Sequence, residues 1–143
     1  MDYKNLRSER LIKKDNVAEK KCEQFLKEKK VYFYRFGFDC WDVPYKDFMK
    51  LPTKLRNTPD YMCIGKTSFL LECKGFKNTL KIKEEDLKGY KFWKDIASFF
   101  FFFYDCNNNK NYFMSFKKLY EKIELAETGV YPDNNKKYYK VIL

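Results

Sequence analysis

The sequence predicts an α/β fold in which a mixed central β-sheet is flanked by helices, and three stretches carry that prediction. Ser98 to Tyr104 (SFFFFFY) is apolar at every position after the serine, as suits a strand covered on both faces in the middle of a sheet. Thr58 to Gly75 (TPDYMCIGKTSFLLECKG) reads as a β-hairpin. Pro59 starts its first strand, one of the few places where a strand tolerates proline, and Gly65-Lys66 supplies the turn. A helical pattern separates the two stretches, so Thr67 to Tyr104 predicts a right-handed strand–helix–strand crossover with parallel strands.

At 143 residues the chain is expected to be one domain, 1–143, long enough to bury a real core. Residues 1–14 are charged with little periodicity and read as a basic arm or the first turns of a helix. Asp15 or Asn16 can cap a helix running to about Lys30, with Val17, Ala18, Cys22, Phe25 and Leu26 as its apolar stripe. Val31 to Phe38, β-branched and aromatic, reads as the first core strand. Residues 40–58 form the longest irregular stretch, with Pro44 and Pro52 breaking any long helix. After the hairpin a short basic link with Lys77, Lys81 and Lys83 leads into a helix from about Lys83 to Ala97. Glu84 and Glu85 enrich its first turn, as the helix dipole favours. Asp105 to Asn111 is a polar turn, Tyr112-Phe113-Met114 resumes as a strand, and Ser115 caps a helix through about Glu127 that Gly129 ends. Tyr138 to Leu143 is expected to close the sheet as an edge strand.

The hairpin places chemistry at its end. From Thr67 the chain alternates, so Phe69, Leu71 and Cys73 face one side while Leu70, Glu72 and Lys74 face the other. Register decides what Asp60 does. A three-residue loop, Gly65-Lys66-Thr67, pairs Ile64 with Ser68 and sets Asp60 directly opposite Glu72; a two-residue turn shifts the pairing by one. Carboxylates held that close repel unless a proton or cation lies between them. Hard oxygen ligands with few other partners suit Mg²⁺, which keeps several waters. Lys74 beside them is placed to orient a water or to stabilise charge on a phosphate. The competing reading is an ordinary strand edge with scattered charges.

Pro59-Asp60 followed by Glu72-Cys73-Lys74 resembles the PD-(D/E)XK nuclease superfamily, over about residues 15–126. The resemblance implies a restriction-endonuclease-like core and Mg²⁺-dependent hydrolysis of phosphodiester bonds, with Mn²⁺ able to substitute. It assigns Asp60 and Glu72 as metal-binding carboxylates, the backbone carbonyl of Cys73 as a further ligand and Lys74 as the catalytic lysine. An acidic residue from the amino-terminal helix often joins such sites, and Glu19 is the candidate, with Glu23 second. Resolvase-like members carry a glutamine on the helix after the catalytic strand, where this chain has Glu85-Asp86. The small size and the strand pair leading into Ser-Phe-Lys-Lys-Leu look most like Holliday junction resolvases and related phage nucleases. Junction resolution needs two sites at a fixed separation, hence a homodimer, for which a sheet edge or an aromatic patch near Tyr112–Tyr120 or Tyr138–Tyr139 is the candidate surface.

Composition agrees with a nucleic-acid partner. Thirty Lys and Arg against 20 Asp and Glu give a net charge of +10, and nucleic acid is the common reason for such an excess in a small domain. Only Arg7, Arg10, Arg35 and Arg56 are arginines, which favours phosphate attraction over bidentate base reading. In the irregular stretch Trp41, Tyr45, Phe48 and Met49 interleave with Lys46, Lys50, Lys54 and Arg56. Lys50, Lys54 and Arg56, with Lys77 and Lys81, are the candidate phosphate contacts. The absence of histidine removes Ser-His-Asp and Cys-His hydrolases, histidine-metal nucleases and Cys₂His₂ fingers. Cys22, Cys40, Cys63, Cys73 and Cys106 show no CxxC spacing and read as mostly buried free thiols. No apolar run reaches membrane-spanning length, and no signal-peptide core is visible. The expectation is a soluble protein of a bacterial or phage-infected cytoplasm, acting on branched or duplex DNA. The alternatives are a sequence-specific or RNA-cleaving nuclease of the same fold, and a nucleic-acid-binding or inhibitory protein without turnover.

Overall fold

The structure is a computed structural model that describes residues 15–37 and 44–143. The arm at 1–14, Cys40 and Trp41 lie outside the described residues, as do the side chains of the two candidate helix caps. In chain order the elements are α1 (Asp15–Glu28), β1 (Tyr32–Arg35), α2 (Tyr45–Phe48), α3 (Thr53–Arg56), β2 (Tyr61–Ile64), β3 (Ser68–Phe76), β4 (Leu80–Lys83), α4 (Glu84–Lys94), β5 (Phe99–Asp105), β6 (Lys110–Ser115), α5 (Phe116–Glu124), β7 (Glu127–Val130) and β8 (Lys137–Val141).

A five-stranded sheet runs β1-β2-β3-β5-β6, with β3 and β5 parallel and the other neighbours antiparallel. This is the mixed central sheet that the sequence predicts, with the aromatic β5 inside it. Because side chains alternate along a strand, β5 feeds two cores at once. Phe99, Phe101 and Phe103 join one core with Leu87, Tyr90 and Trp93 of α4 and with Phe116, Leu119 and Ile123 of α5. Phe102 and Tyr104 join the other, with Ala18, Cys22 and Leu26 of α1. Phe99 and Phe101 stack at 4.7 Å, and the Tyr90 ring meets Phe101 edge-on at 5.1 Å, arrangements that the ring quadrupole favours.

Several expectations need correction. Of the stretch Val31–Phe38, whose last residue lies outside the described ones, only Tyr32–Arg35 form strand β1, and among the described residues β1 is an edge strand rather than a core one. Residues 40–58 include the short helices α2 and α3. The basic link contains β4, because Leu80 and Ile82 alternate with Lys81 and Lys83 and bury their apolar side. The last helix stops at Glu124, and the residues beyond it form β7, which with β8 and β4 builds a second, three-stranded sheet.

Gly129 is therefore no helix terminator. It sits opposite Tyr138 in the β7–β8 register, and a Cβ there would lie 2.5 Å from the Tyr138 ring. Tyr138–Leu143, expected at an edge, supplies β8, the middle strand of that small sheet. The helix start at Ser115 is as predicted, with its side chain accepting the Lys118 N–H. Among the described residues no helix is long and apolar enough to cross a membrane.

Candidate functional site

The hairpin register is the one set by the three-residue loop. Ile64 pairs with Ser68 and Tyr61 with Leu71, so one further step sets Asp60 across from Glu72. A hydrogen bond between the strands fixes that step: the Cys73 N–H donates to Asp60 Oδ2 at 2.9 Å. Strand alternation does the rest. Leu71 and Cys73 pack toward α1, whereas Leu70 belongs to the core on the α4 side and Glu72 and Lys74 open into a cleft of about 660 Å³. Asp60, Glu72, Cys73 and Lys74 all line that cleft, together with Glu19 of α1, Arg56 of α3, Asp86 and Tyr90 of α4, and Lys83 and Lys136 from the second sheet.

Asp60 is only 4 % exposed, and a carboxylate that buried needs partners. Besides the Cys73 N–H it has Arg35, whose Nη2 lies 3.7 Å from Oδ1 and 2.7 Å from Glu19 Oε1. The Arg35 guanidinium also lies 5.0 Å from the centre of the Tyr61 ring. Burial works against the charge on Arg35, but Asp60 first and then Glu19 outweigh it and hold the guanidinium firmly protonated. Glu19 is thus brought to the site as the first choice among helix acids. Glu23, the second choice, is not at the cleft, because it accepts the Tyr61 hydroxyl at 2.9 Å. Burial, with Glu23 assisting and Arg35 opposing, raises the Tyr61 pKa.

Helix α4 closes the other wall. Tyr90 is buried, and burial, reinforced by the nearby charges of Glu72 and Asp86, pushes its hydroxyl well above the usual range. Asp86 is raised by burial against the opposing pull of Lys74 and then Lys83. Glu85 instead pairs with Lys136 at 3.1 Å. The two neighbouring acids thus divide: Asp86 lines the cleft with Lys74, and Glu85 ties the β7–β8 turn to α4.

Asp86 carries a pH prediction. A carboxyl whose folded pKa exceeds its unfolded one binds more protons in the folded state through that interval, so stability falls as pH rises across it. Asp86→Asn should therefore be more stable than the parent at neutral pH. The difference should shrink toward zero as pH falls to the ordinary carboxyl range, measured as urea midpoints from pH 3.5 to 8.

The predicted phosphate contacts separate. Arg56 lines the cleft, its Nη2 donating to Thr53 Oγ1 at 3.0 Å. Lys50, Lys54, Lys77 and Lys81 lie outside it. Lys50 pairs with Asp47 at 3.2 Å, Lys54 sits 4.7 Å over the Phe92 ring, and Lys81 sits 4.9 Å over Tyr138. Lys83, Tyr90 and Lys136 were missed as cleft residues, and Arg35 was missed as the partner of Asp60. Arg35 had a visible signal, a lone arginine in an aromatic strand; Lys136 had none, since only the β7–β8 hairpin brings it there. Cys22 and Cys63 are buried free thiols as expected, with burial pushing Cys63 up to about 12, whereas Cys106 is exposed.

Among the described residues no group of three Cys, Asp or Glu side chains is already arranged around a metal position. The donor set nonetheless fits a hard cation. Asp60 and Glu72 face each other across the strand pair, Glu19 is one ion pair away, and the cleft is open to water-sized ligands. Compared with family models the chain matches none, and it has no significant match among curated proteins.

Proposed function

We propose that the protein is a Mg²⁺-dependent nuclease that hydrolyses phosphodiester bonds of DNA at this cleft. The observation that carries the proposal is the meeting of Asp60, Glu72 and Lys74 at one end of the hairpin, in a chain of net charge +10. Asp60, Glu72 and the Cys73 carbonyl would hold the metal, which supplies Lewis-acid polarisation of the phosphate and a lowered water pKa. Tyr90 lines the cleft beside Glu72. Lys74 lines the same cleft as Asp86 and is placed to orient the attacking water or stabilise charge on the phosphoryl oxygens. Arg56, Lys83 and Lys136 form a positive lining that draws the backbone in. The test is cleavage by purified protein with Mg²⁺ of linear, single-stranded, nicked and four-way-junction DNA; no product from any of them sinks the proposal.

Junction resolution is the finer form of the reading and requires a dimer. Tyr138 is buried against Tyr131 at 4.6 Å between ring centres, so it offers no docking surface, and a sheet edge or the Tyr112–Tyr120 region remains as a candidate. Paired nicks on opposite strands of a junction, with a dimer in sedimentation, would support it.

One observation favours a second reading, a nucleic-acid-binding protein without turnover: Arg35 already satisfies Asp60 and Glu19 with positive charge. Calorimetry separates the two, since a nuclease must bind Mg²⁺ or Mn²⁺ through Asp60 and Glu72, and the binder need not.

Either reading predicts salt-sensitive binding. Log K against log salt should fall with a slope of about −0.9 per neutralised phosphate on duplex DNA. Replacing Arg56, Lys83 and Lys136 by alanine should flatten that slope by up to about three. The same change at Lys50, Lys77 and Lys81, outside the cleft, should flatten it less.

A further inference from the structure

The alternation that aims Glu72 into the cleft continues across β2 into β1. Tyr34 pairs with Met62 and Tyr32 with Ile64, and Met62 pairs with Leu70 of β3. Phe36 follows by the same step, its N–H donating to the Asp60 carbonyl at 2.8 Å. Tyr32, Tyr34 and Phe36 therefore lie in one row on the face of the sheet that carries Asp60 and Glu72. The row begins beside Asp60 and runs outward. Phe36 is anchored against Trp93 at 5.8 Å, but Tyr34 is 67 % and Tyr32 77 % exposed.

These tyrosines serve the fold poorly. Natural edge strands are usually blunted by charge or proline. This one shows two aromatic rings, with Tyr32 opposite the exposed Ile64. The charge lies at the same edge on its α1 side, where it borders Tyr32 but not Tyr34. A shallow groove of about 480 Å³ at this edge is lined by Lys27, Lys30, Val31, Tyr32 and Phe33, and none of its described lining residues is acidic. Successive rings in the row are two residues apart, about 6.7 Å at the rise of a strand, so each can receive its own planar partner.

We propose that Tyr32 and Tyr34 form a stacking ledge for unpaired bases, with Lys27 and Lys30 following the phosphates. Aromatic rings on a sheet face beside cations are how single strands are held without base-edge reading, and paired bases inside a duplex cannot lie flat on them. The ledge leads from the cleft, so the substrate class it selects has a single-stranded segment next to the scissile bond: a flap, a gap, a splayed junction arm or a free single strand. A second copy docking on the same edge would bring two sets of the same lysines together, and the net charge of +10 opposes it. The inference rests on the nucleic-acid reading above but not on turnover.

The test is fluorescence anisotropy in metal-free buffer, with a labelled single-stranded oligonucleotide and its duplex. Base–aromatic stacking is worth about 1–3 kcal/mol per base. Tyr32→Ala and Tyr34→Ala should therefore each weaken single-strand binding by about 5- to 150-fold, with duplex binding changed by less than about twofold. Tyr32→Phe and Tyr34→Phe, which keep the ring, should bind nearly as the parent does. Single-strand binding that ignores the rings, or an equal loss on duplex, overturns the ledge, as does a ring-dependent dimer in sedimentation. Ring-dependent binding without cleavage under Mg²⁺ keeps the ledge and removes the nuclease reading. Cleavage with ring-independent binding does the reverse, and no nucleic-acid binding removes both.

Discussion

Glu72→Gln and Asp60→Asn should each lower Mg²⁺-dependent cleavage by at least about 10³-fold, roughly 4 kcal/mol of transition-state stabilisation. Both substitutions keep the size of the side chain and remove the charge that a hard cation needs. DNA binding should be equal or tighter, because each removes negative charge from a cleft that must accept phosphates. The buried setting of Asp60 makes the choice of variant matter. Asn keeps an oxygen for the Cys73 N–H, whereas Ala would orphan that donor and deprive Arg35 of a partner. An unsatisfied buried group alone costs about 1–3 kcal/mol, so Asp60→Ala should lose stability as well as activity, and its melting temperature should fall. Lys74→Ala should lose turnover and keep metal binding. Undiminished cleavage in Glu72→Gln, with contaminating nuclease excluded by a matched mock preparation, would end the metal assignment.

Phe101→Ala should have the largest effect on the fold. Phe101 is completely buried, stacked between Phe99 and Phe103 and capped by Tyr90. Its β-sheet partner across the parallel pair is Glu72, and across the antiparallel pair Met114. Removing the ring from a site flanked by backbone on two sides leaves a cavity that cannot collapse, at a cost of about 3–5 kcal/mol. That is a large part of the total stability of a domain this size, about 5–15 kcal/mol, and should lower the melting temperature by about 10–20 °C. The urea midpoint should drop with the slope unchanged, the mark of lost stability without a changed unfolded state. A loss below about 1 kcal/mol would mean that the β5 core is looser than its geometry indicates.

How far the sequence could be read varies element by element. The central sheet was legible because its signals are local and strong. Seven residues from Ser98 can satisfy an apolar pattern on both sides only inside a sheet, and Pro59 and Gly65 bracket the hairpin. Glu72 and Lys74 followed from period-two alternation alone. The placement of Asp60 was open until the register was known, because a shift of one residue would have turned it away. The second sheet was not legible. Leu80 to Lys83 is too short to be told from a link, and Glu127 to Val130 has the glycine and polarity of a helix end. Each becomes a strand only because β8 lies beside it with free backbone groups to pair.

The sequence by itself determined the class of fold, the buried β5 strand and the residues able to do chemistry at the end of β3, since these depend on period, turn residues and side-chain type along one short stretch. Only the tertiary structure decided which charges share the cleft. Arg35 reaches Asp60 and Glu19 because β1 pairs with β2 beneath α1; Asp86 shares the cleft with Lys74 because α4 packs over the sheet; Lys136 arrives on a hairpin more than sixty residues beyond Glu72 in the chain. The energy of an ion pair depends on distance and on exclusion of water, and both are set by packing between elements remote in sequence, so composition could announce the positive charge of this protein but not where it would act.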